Sequence, residues 1–458
     1  LRADGSTGDV DGHISNVRVV KGTAVYTAPF RPPTKPLANI TNTKLLCCNN
    51  SSTTGSTVTP STITATGTST TASTDSPFDD PAGFKFGGSN NIIKCGSYVG
   101  TGSAGLEVNL GWEPQWVMIK RATGASNQWY ILDSKRGIHT GGNDNWVKAN
   151  STDIELSNLN LIDLTSTGFK VINTGNGFNI SGETFVYMTI RRPDGYVVKP
   201  IEVATHAFTL VAGNSGYPSF PTNVGSFGGF SVDFALMRQP ASSQACQVAA
   251  RLVGPNFLQA TSDTNETGES NMLFAKNNGW MENRGSSFQS WMWKRHAGMD
   301  VVTYDGNGVA GRGIPHSMNQ IPEMIWVKKR NSGTGGSNWL VYHKGLNEGT
   351  NPEQYYIMLN GTSADVDDAT IWNDVAPTKT HFTLGTNSNV NQDGDEYIAM
   401  LFASVPGISQ VGYFSGSDSS HTITTGFQPR WALFKNTSGF AQWVMADTLR
   451  GWTNGSQD

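Results

Sequence analysis

Along most of the chain, short clusters of Val, Ile, Thr, Phe, Tyr and Trp alternate with Gly, Asn and Pro, and helix formers are not gathered into long runs of 3.6-residue period. This pattern predicts strands joined by tight turns, an all-β chain. Three continuous apolar segments stand out: Thr184-Phe185-Val186-Tyr187-Met188-Thr189-Ile190, Trp291-Met292-Trp293 and Tyr397-Ile398-Ala399-Met400-Leu401-Phe402-Ala403. Such runs, bounded by Gly or Asp, suit strands buried on both faces of a sandwich. Polar stretches with Tyr98-Val99-Gly100, Tyr304-Asp305-Gly306-Asn307-Gly308 and Tyr413-Phe414-Ser415-Gly416 predict hairpins, because Asp-Gly and Asn-Gly pairs supply the positive φ of tight turns. No stretch of ~18 apolar residues is present to form a membrane span, and no basic start with an apolar core marks a signal peptide.

The pattern also repeats. Gly111-Trp112-Glu113-Pro114-Gln115-Trp116-Val117-Met118-Ile119-Lys120 matches Gly426-Phe427-Gln428-Pro429-Arg430-Trp431-Ala432-Leu433-Phe434-Lys435 in the offsets of Gly, aromatic, Pro, Trp and Lys. Trp129 then precedes Asp133, Arg136 and Gly137 with the spacing by which Trp443 precedes Asp447, Arg450 and Gly451. A third copy opens at Gly229-Phe230, with Phe234 for Trp and Arg238 for Lys; a fourth, Ile321-Pro322-Glu323-Met324-Ile325-Trp326-Val327-Lys328, has its Trp shifted two places. The copies begin near 111, 229, 319 and 426, so each unit has the size of a small domain. The expected architecture is a tandem array of β-sandwich modules of jelly-roll or concanavalin A-like type: 79–203, 204–299 and 300–408, then an incomplete fourth at 409–458. Its missing closing strand is expected in a continuing chain or from a neighbouring subunit. Residues 49–78, almost all Ser, Thr, Gly and Asn, read as a linker.

Composition narrows the function. At ~150 residues per domain, 458 residues allow about three domains with independent cores. Charged residues are 15%, below the usual ~25%, and a net charge of −4 gives no field to draw in nucleic-acid phosphates. Cys47, Cys48, Cys95 and Cys246 are too few and scattered for a disulfide scaffold; they read as buried or inert thiols, with Cys47 and Cys48 on opposite faces of a strand.

The segment Gly12-His13-Ile14-Ser15-Asn16-Val17-Arg18-Val19, with Lys21-Gly22-Thr23-Ala24-Val25-Tyr26, Phe30, Pro32-Pro33-Thr34 and Leu45-Leu46-Cys47-Cys48, resembles the closing strands of concanavalin A-like (laminin G-like) lectin modules in marine bacteriophage tail-fibre and other virion structural proteins. The repeats from 111 to 458 are similar to the tandem modules that follow it there. Residues 1–48 are then the C-terminal part of a lectin module. The resemblance implies a virion appendage that contacts host-surface glycans, exposed on the particle after assembly in the host cytoplasm, a homotrimer bound to other virion proteins. It supplies no ligand residues. An architectural capsid-decorating or stalk protein without its own ligand is the alternative; a polysaccharide depolymerase or a cellular surface adhesin is a further one.

Candidate chemistry is sparse. The loop aromatics Trp146, Trp280 and Trp372 are the candidates for stacking on sugar faces, whereas Trp116 and Trp431 read as core anchors. Asp133 with Arg136, and Asp447 with Arg450, read as turn-fastening pairs, because a fold requirement recurs where a binding site need not. Asn389, Asn391, Asp393 and Gly394 echo a calcium loop, but the bidentate acid that should follow is Met400; Asp4, Asp9 and Asp11 are a second weak calcium candidate. Gly306-Asn307-Gly308-Val309-Ala310-Gly311 fits the dinucleotide spacing but leads into Arg312-Gly313-Ile314-Pro315, which cannot open a helix, so it reads as a turn. No metal-ligating pair, G-x-S-x-G elbow or close carboxylate pair is present, and no catalytic residue or required cofactor is expected.

Overall fold

The computed structural model describes residues 14–28, 36–49, 52–64, 92–124, 127–175, 177–198, 201, 203–223, 228–331, 337–417 and 419–452. The chain divides into two compact units, 1–84 and 85–458, and it is all-β, built of antiparallel sheets with sandwich-like layering. No helix among the described residues is long and apolar enough to cross a membrane.

The smaller unit is a three-stranded antiparallel sheet of Val17–Val20, Thr43–Cys47 and Ser56–Val58. Its third strand lies inside the stretch read as a linker. The β-branched Thr57 and Val58 suit an extended chain, and the edge of Thr43–Cys47 supplies the partner that a Ser/Thr-rich segment cannot supply for itself. Cys47 and Cys48 do not take opposite faces: the strand ends at Cys47, Cys48 has a left-handed φ of 56°, and the two Sγ atoms lie 3.9 Å apart. Cys95 is exposed and Cys246 buried.

The larger unit contains three six-stranded sheets of identical strand order. The first runs Ile93–Val99, Thr184–Arg191, Pro114–Arg121, Tyr130–Asp133, Asp144–Lys148, Leu156–Leu159. The second runs Phe208–Asn214, Arg284–Trp293, Phe234–Arg238, Gln247–Ala250, Asn256–Gln259, Thr267–Gly268, and the third Met299–Asp305, Glu396–Phe402, Met324–Lys329, Leu340–His343, Tyr355–Met358, Val366–Asp367. A final hairpin, Trp431–Phe434 with Val444–Asp447, reproduces the third and fourth strands of that order. The three apolar segments noted in the sequence lie on the second strand of each sheet, paired on both sides. In Thr184–Arg191 burial still alternates, so one face of the first sheet is less covered.

Register makes the repeats comparable residue by residue. Trp116 faces Asp133, Phe234 faces Ala250, Met324 faces His343 and Trp431 faces Asp447. In the third repeat Met324 therefore holds the tryptophan's place, and Trp326, two residues on, lies on the same face. A smaller layer covers each sheet: Leu106–Asn109, Ile162–Thr165 and Gly168–Val171 in the first repeat, Phe220–Pro221 with Gly279–Trp280 in the second, and Arg312–Pro315 with His381–Leu384 in the third. Phe169 meets Tyr187 edge-on at 6.0 Å, and Phe382 meets Tyr304 at 6.3 Å, closing the first and third pairs of layers.

The cores are not independent. Two apolar clusters stay within the second and third repeats, but another runs from Val108 and Trp112 through Phe234 and Trp291 to Trp326, Trp339 and Met400, with Trp431 and Trp443 packed on it. The repeats are thus fused by shared hydrophobic burial, the dominant favourable contribution to folding, rather than strung as beads.

Candidate functional site

The three tryptophans proposed to stack on sugars are buried. Trp146 belongs to the strand Asp144–Lys148 and packs on Tyr130 at 5.4 Å. Trp280 is 0% exposed, lies between Phe220 and Phe274, and donates its indole N–H to Ser290 Oγ at 3.1 Å. Trp372 closes the short helix Ala369–Trp372 and donates to the Tyr355 carbonyl at 3.1 Å. Polar neighbours in sequence gave all three the look of loop residues; each in fact plugs the space between layers, where no ring face is open to a sugar. Trp431 packs on Trp293 at 5.3 Å, while Trp116 is half-buried and the motif's fully buried tryptophan is Trp112.

The calcium-like stretch is a fold lock. Asn391 is buried; its amide donates to the Val309 and Gly385 carbonyls, and its Oδ1 accepts the Asn307 N–H at 3.0 Å. Asn389 Oδ1 accepts from Ser337 and from the Asn338 N–H. The first repeat builds the same corner: Asn179 Oδ1 accepts the Thr101 N–H at 2.7 Å and its amide donates to the Ser103 carbonyl. Tyr98 and Tyr304 lock both corners through their hydroxyls, to the Phe178 and Val390 carbonyls. Gly100 and Gly306 are required there by close approach rather than by φ: a Cβ would lie 2.1 Å from the Ile180 oxygen and 1.9 Å from that of Gln392. The glycine-rich segment 306–311 is the loop this corner holds. Asp4, Asp9 and Asp11 lie outside the described residues, and no cluster of metal-ligating side chains occurs among those described.

Two buried knots of charged groups lie where the repeats meet. In the first knot, Arg295 of the second repeat grips Glu113 of the first with both terminal nitrogens, at 2.8 and 2.6 Å, and Asp300 of the third through Nε at 2.7 Å. Arg192 of the first repeat lies 3.2 Å from Glu113 and 3.3 Å from Asp300. The second Asp300 oxygen accepts the Ser317 N–H at 2.8 Å. Asp233 accepts the Arg295 N–H and the Arg251 guanidinium, and Arg251 also donates to the Val232 and Phe274 carbonyls. Burial alone would raise the Asp300 carboxyl, but the Arg295 and Arg192 guanidiniums outweigh it and hold it down to about 2. A carboxylate held so firmly ionised cannot serve as a general acid.

The second knot centres on Arg330 of the third repeat, which holds Glu266 of the second at 2.6 Å, Glu396 at 3.2 Å and the Thr140 carbonyl of the first at 2.8 Å. Lys170 and Asp305 pair across the first and third repeats beside it. Asp163, fastened to the Gly141 N–H, is pushed up to about 6, first by burial and then by the Glu396 and Asp305 charges. Asp144 is pushed up to about 7 by burial although it accepts three backbone N–H groups, from His139, Leu161 and Ile162.

Sequence reasoning missed these knots. Glu113 lay in the repeated motif, but its partner Arg295 is nearly two hundred positions away, and nothing local marks a residue as an inter-repeat contact. The Asp–Arg turns were legible. Asp133 accepts the Arg136 N–H at 2.7 Å and its guanidinium at 2.8 Å; Asp447 does the same for Arg450 at 3.0 and 2.6 Å.

A comparison with sequence families matches this chain over residues 16–192 and 257–458 to the family described as Domain of unknown function (DUF7483). No curated protein and no solved structure matches the chain.

Proposed function

We propose that this chain, which belongs to the DUF7483 family of domains of unknown function, is a non-enzymatic structural protein of a bacteriophage virion, a tail fibre or similar appendage that meets the host surface. The observation that carries the reading is the architecture: one six-strand order used three times, with the copies fused through shared core and buried ion pairs. An exposed appendage needs a stiff body whose surface is polar without a strong field, and the low charge of the chain suits it. In this reading the protein is a homo-oligomer, a trimer by resemblance, that joins other virion proteins and displays weak glycan contacts many times over, so that avidity replaces affinity.

The burial of Trp146, Trp280 and Trp372 favours a second reading, an architectural stalk or decoration without a ligand of its own. Gold-labelled antibody against the purified chain, applied to intact particles, tests the shared premise: labelling of a particle appendage is expected, and labelling of no particle overturns it. Binding of the purified chain to an array of bacterial surface glycans separates the readings. Saturable binding supports host contact, and an empty array supports the stalk.

A further inference from the structure

One contact joins the second repeat to the third and, position for position, the third to the final hairpin. Trp339 donates its indole N–H to the carbonyl of Gln259, the last residue of the second repeat's fifth strand, at 2.9 Å; Trp443 donates to Met358, the same position of the third repeat, at 2.8 Å. Lys328 holds the Asp263 carbonyl at 2.9 Å along with its own repeat's Ser337 carbonyl, and Lys435 holds Thr362 at 3.0 Å along with its own Ala441. Main-chain bonds complete it: Ser337 to Asp263 and Glu266 to Arg330 in one junction, Ala441 to Thr362 and Asp365 to Thr437 in the other. Each junction thus has a donor half, with Trp and Lys, and an acceptor half, the end of the fifth strand and the segment after it.

The first repeat carries both halves, and neither is filled among the described residues. Its donor half is Lys120 and Trp129, at the register positions of Lys328 with Trp339 and Lys435 with Trp443. Lys120 holds its own repeat's Asn127 carbonyl, as its counterparts do, but no carbonyl of another repeat, and the Trp129 indole N–H makes no hydrogen bond to a described residue. Its acceptor half is Lys148, Thr152 and Glu155, at the positions of Gln259, Asp263 and Glu266. Among the described residues no hydrogen bond or ion pair joins 148–159 to another repeat, and Ile154 at the centre of the segment is 82% exposed. The second repeat cannot fill that half in the same way, because Arg238 and Cys246 stand where the lysine and tryptophan would be.

We propose that the first repeat is a self-assembly site: the Lys120–Trp129 edge of one copy docks on the 148–155 edge of a second copy, reproducing the junction used twice within the chain. The occupant is a second copy because the first repeat is the one repeat, among the described residues, with both halves unfilled. Such a contact is heterologous, so it closes into a ring or extends into a filament. The proposal rests on the self-association in the function proposed above and assigns it a surface.

Sedimentation velocity of the full chain across a concentration series tests it, with Trp129→Ala, Lys120→Ala and Ile154→Asp as surface variants whose folding is checked by circular dichroism. The unsubstituted chain associates, and each variant weakens association about tenfold or more. Mixing Trp129→Ala with Ile154→Asp restores one junction and stops at a dimer, because each copy keeps one intact half. An oligomer indifferent to all three variants overturns the assigned surface and leaves self-association standing. A chain that stays monomeric at every concentration overturns both.

Discussion

The turns Asp133–Arg136 and Asp447–Arg450 are the same device in sequence and in local geometry, yet they carry different loads. Around Asp133 the aspartate fastens its own turn, and Arg136, 37% exposed along its side chain, turns outward to Glu155. Asp447 is fully buried, and beyond Arg450 it accepts from Gln289 and from the Trp291 indole of the second repeat, at 3.1 and 3.2 Å. The motif dictates the turn, whereas its energetic weight depends on whether a neighbouring repeat delivers further donors into a dry site. What matters most in this fold is therefore concentrated between repeats rather than within them.

The sharpest way to break that contrast is Arg295→Met, which keeps the aliphatic volume but leaves Glu113 and Asp300 buried with only the longer contacts to Arg192. A loss of about 3–5 kcal/mol is expected in urea unfolding of the larger unit, and a loss below about 1 kcal/mol would place the weight elsewhere. Asp447→Ala comes next, at about 3 kcal/mol, since it strands the Gln289 and Trp291 donors as well as Arg450. Its effect is regional. Hydrogen exchange of Trp431–Phe434 and Val444–Asp447 should accelerate while that of Thr184–Arg191 does not, and uniform acceleration would refute the hairpin as a separately fastened element.

The fold was readable because strand alternation, turn chemistry and the Gly-aromatic-Pro-Trp-Lys repeat all pointed to tandem antiparallel sheets, and each of these signals is local. What was not readable came from pairings across repeats. Trp280 sits in a polar neighbourhood in sequence, and only the approach of Phe220 and Phe274 makes it core. Asn391 had the oxygen chemistry of a calcium ligand, but its donors and acceptors are consumed by Val309, Gly385 and Asn307. Lys328 and Lys435 were visible as a recurrent residue, yet their role needs the preceding repeat's carbonyl, a partner that no spacing within one repeat reveals.

Acid should act on the two knots in opposite directions: Asp163, and Asp144 near it, bind a proton in the folded chain first and gain stability as pH falls toward 5, whereas His296 loses it. His296, beside the Arg295–Asp300 knot, accepts the Gly298 N–H on Nδ1 at 3.0 Å and is neutral; burial and the Lys294 charge pull it from 6.5 to about 4, against the opposing pull of Asp300 and Asp233. Above pH ~6.5 both folded and unfolded forms are neutral and this stability is whole. As pH falls toward 4 the unfolded chain takes up the proton first, so by pH 5 about 2 kcal/mol is lost. His296→Gln should leave the stability at pH 5, relative to pH 7, about 2 kcal/mol higher than in the unsubstituted chain, and an identical pH dependence of the two urea midpoints would show that His296 is not a titrating group here.

The smallest effect, and the one that most directly measures the contrast, belongs to Asp133→Ala. The substitution removes the same carboxylate from the same turn as Asp447→Ala, but among the described residues no second repeat donates to it, and its arginine keeps Glu155 at 2.8 Å. The expected cost is about 0.5–1 kcal/mol, that of a partly exposed pair and one turn hydrogen bond. Combining it with Asp447→Ala should give the sum of the two, because the turns share no partner. If Asp133→Ala instead costs as much as Asp447→Ala, the turn itself carries the energy and donors from the neighbouring repeat are incidental. A Thr-like cap at 133 would separate the two contributions, since Asp133→Thr keeps an acceptor for the Arg136 N–H while discarding the charge that holds its guanidinium.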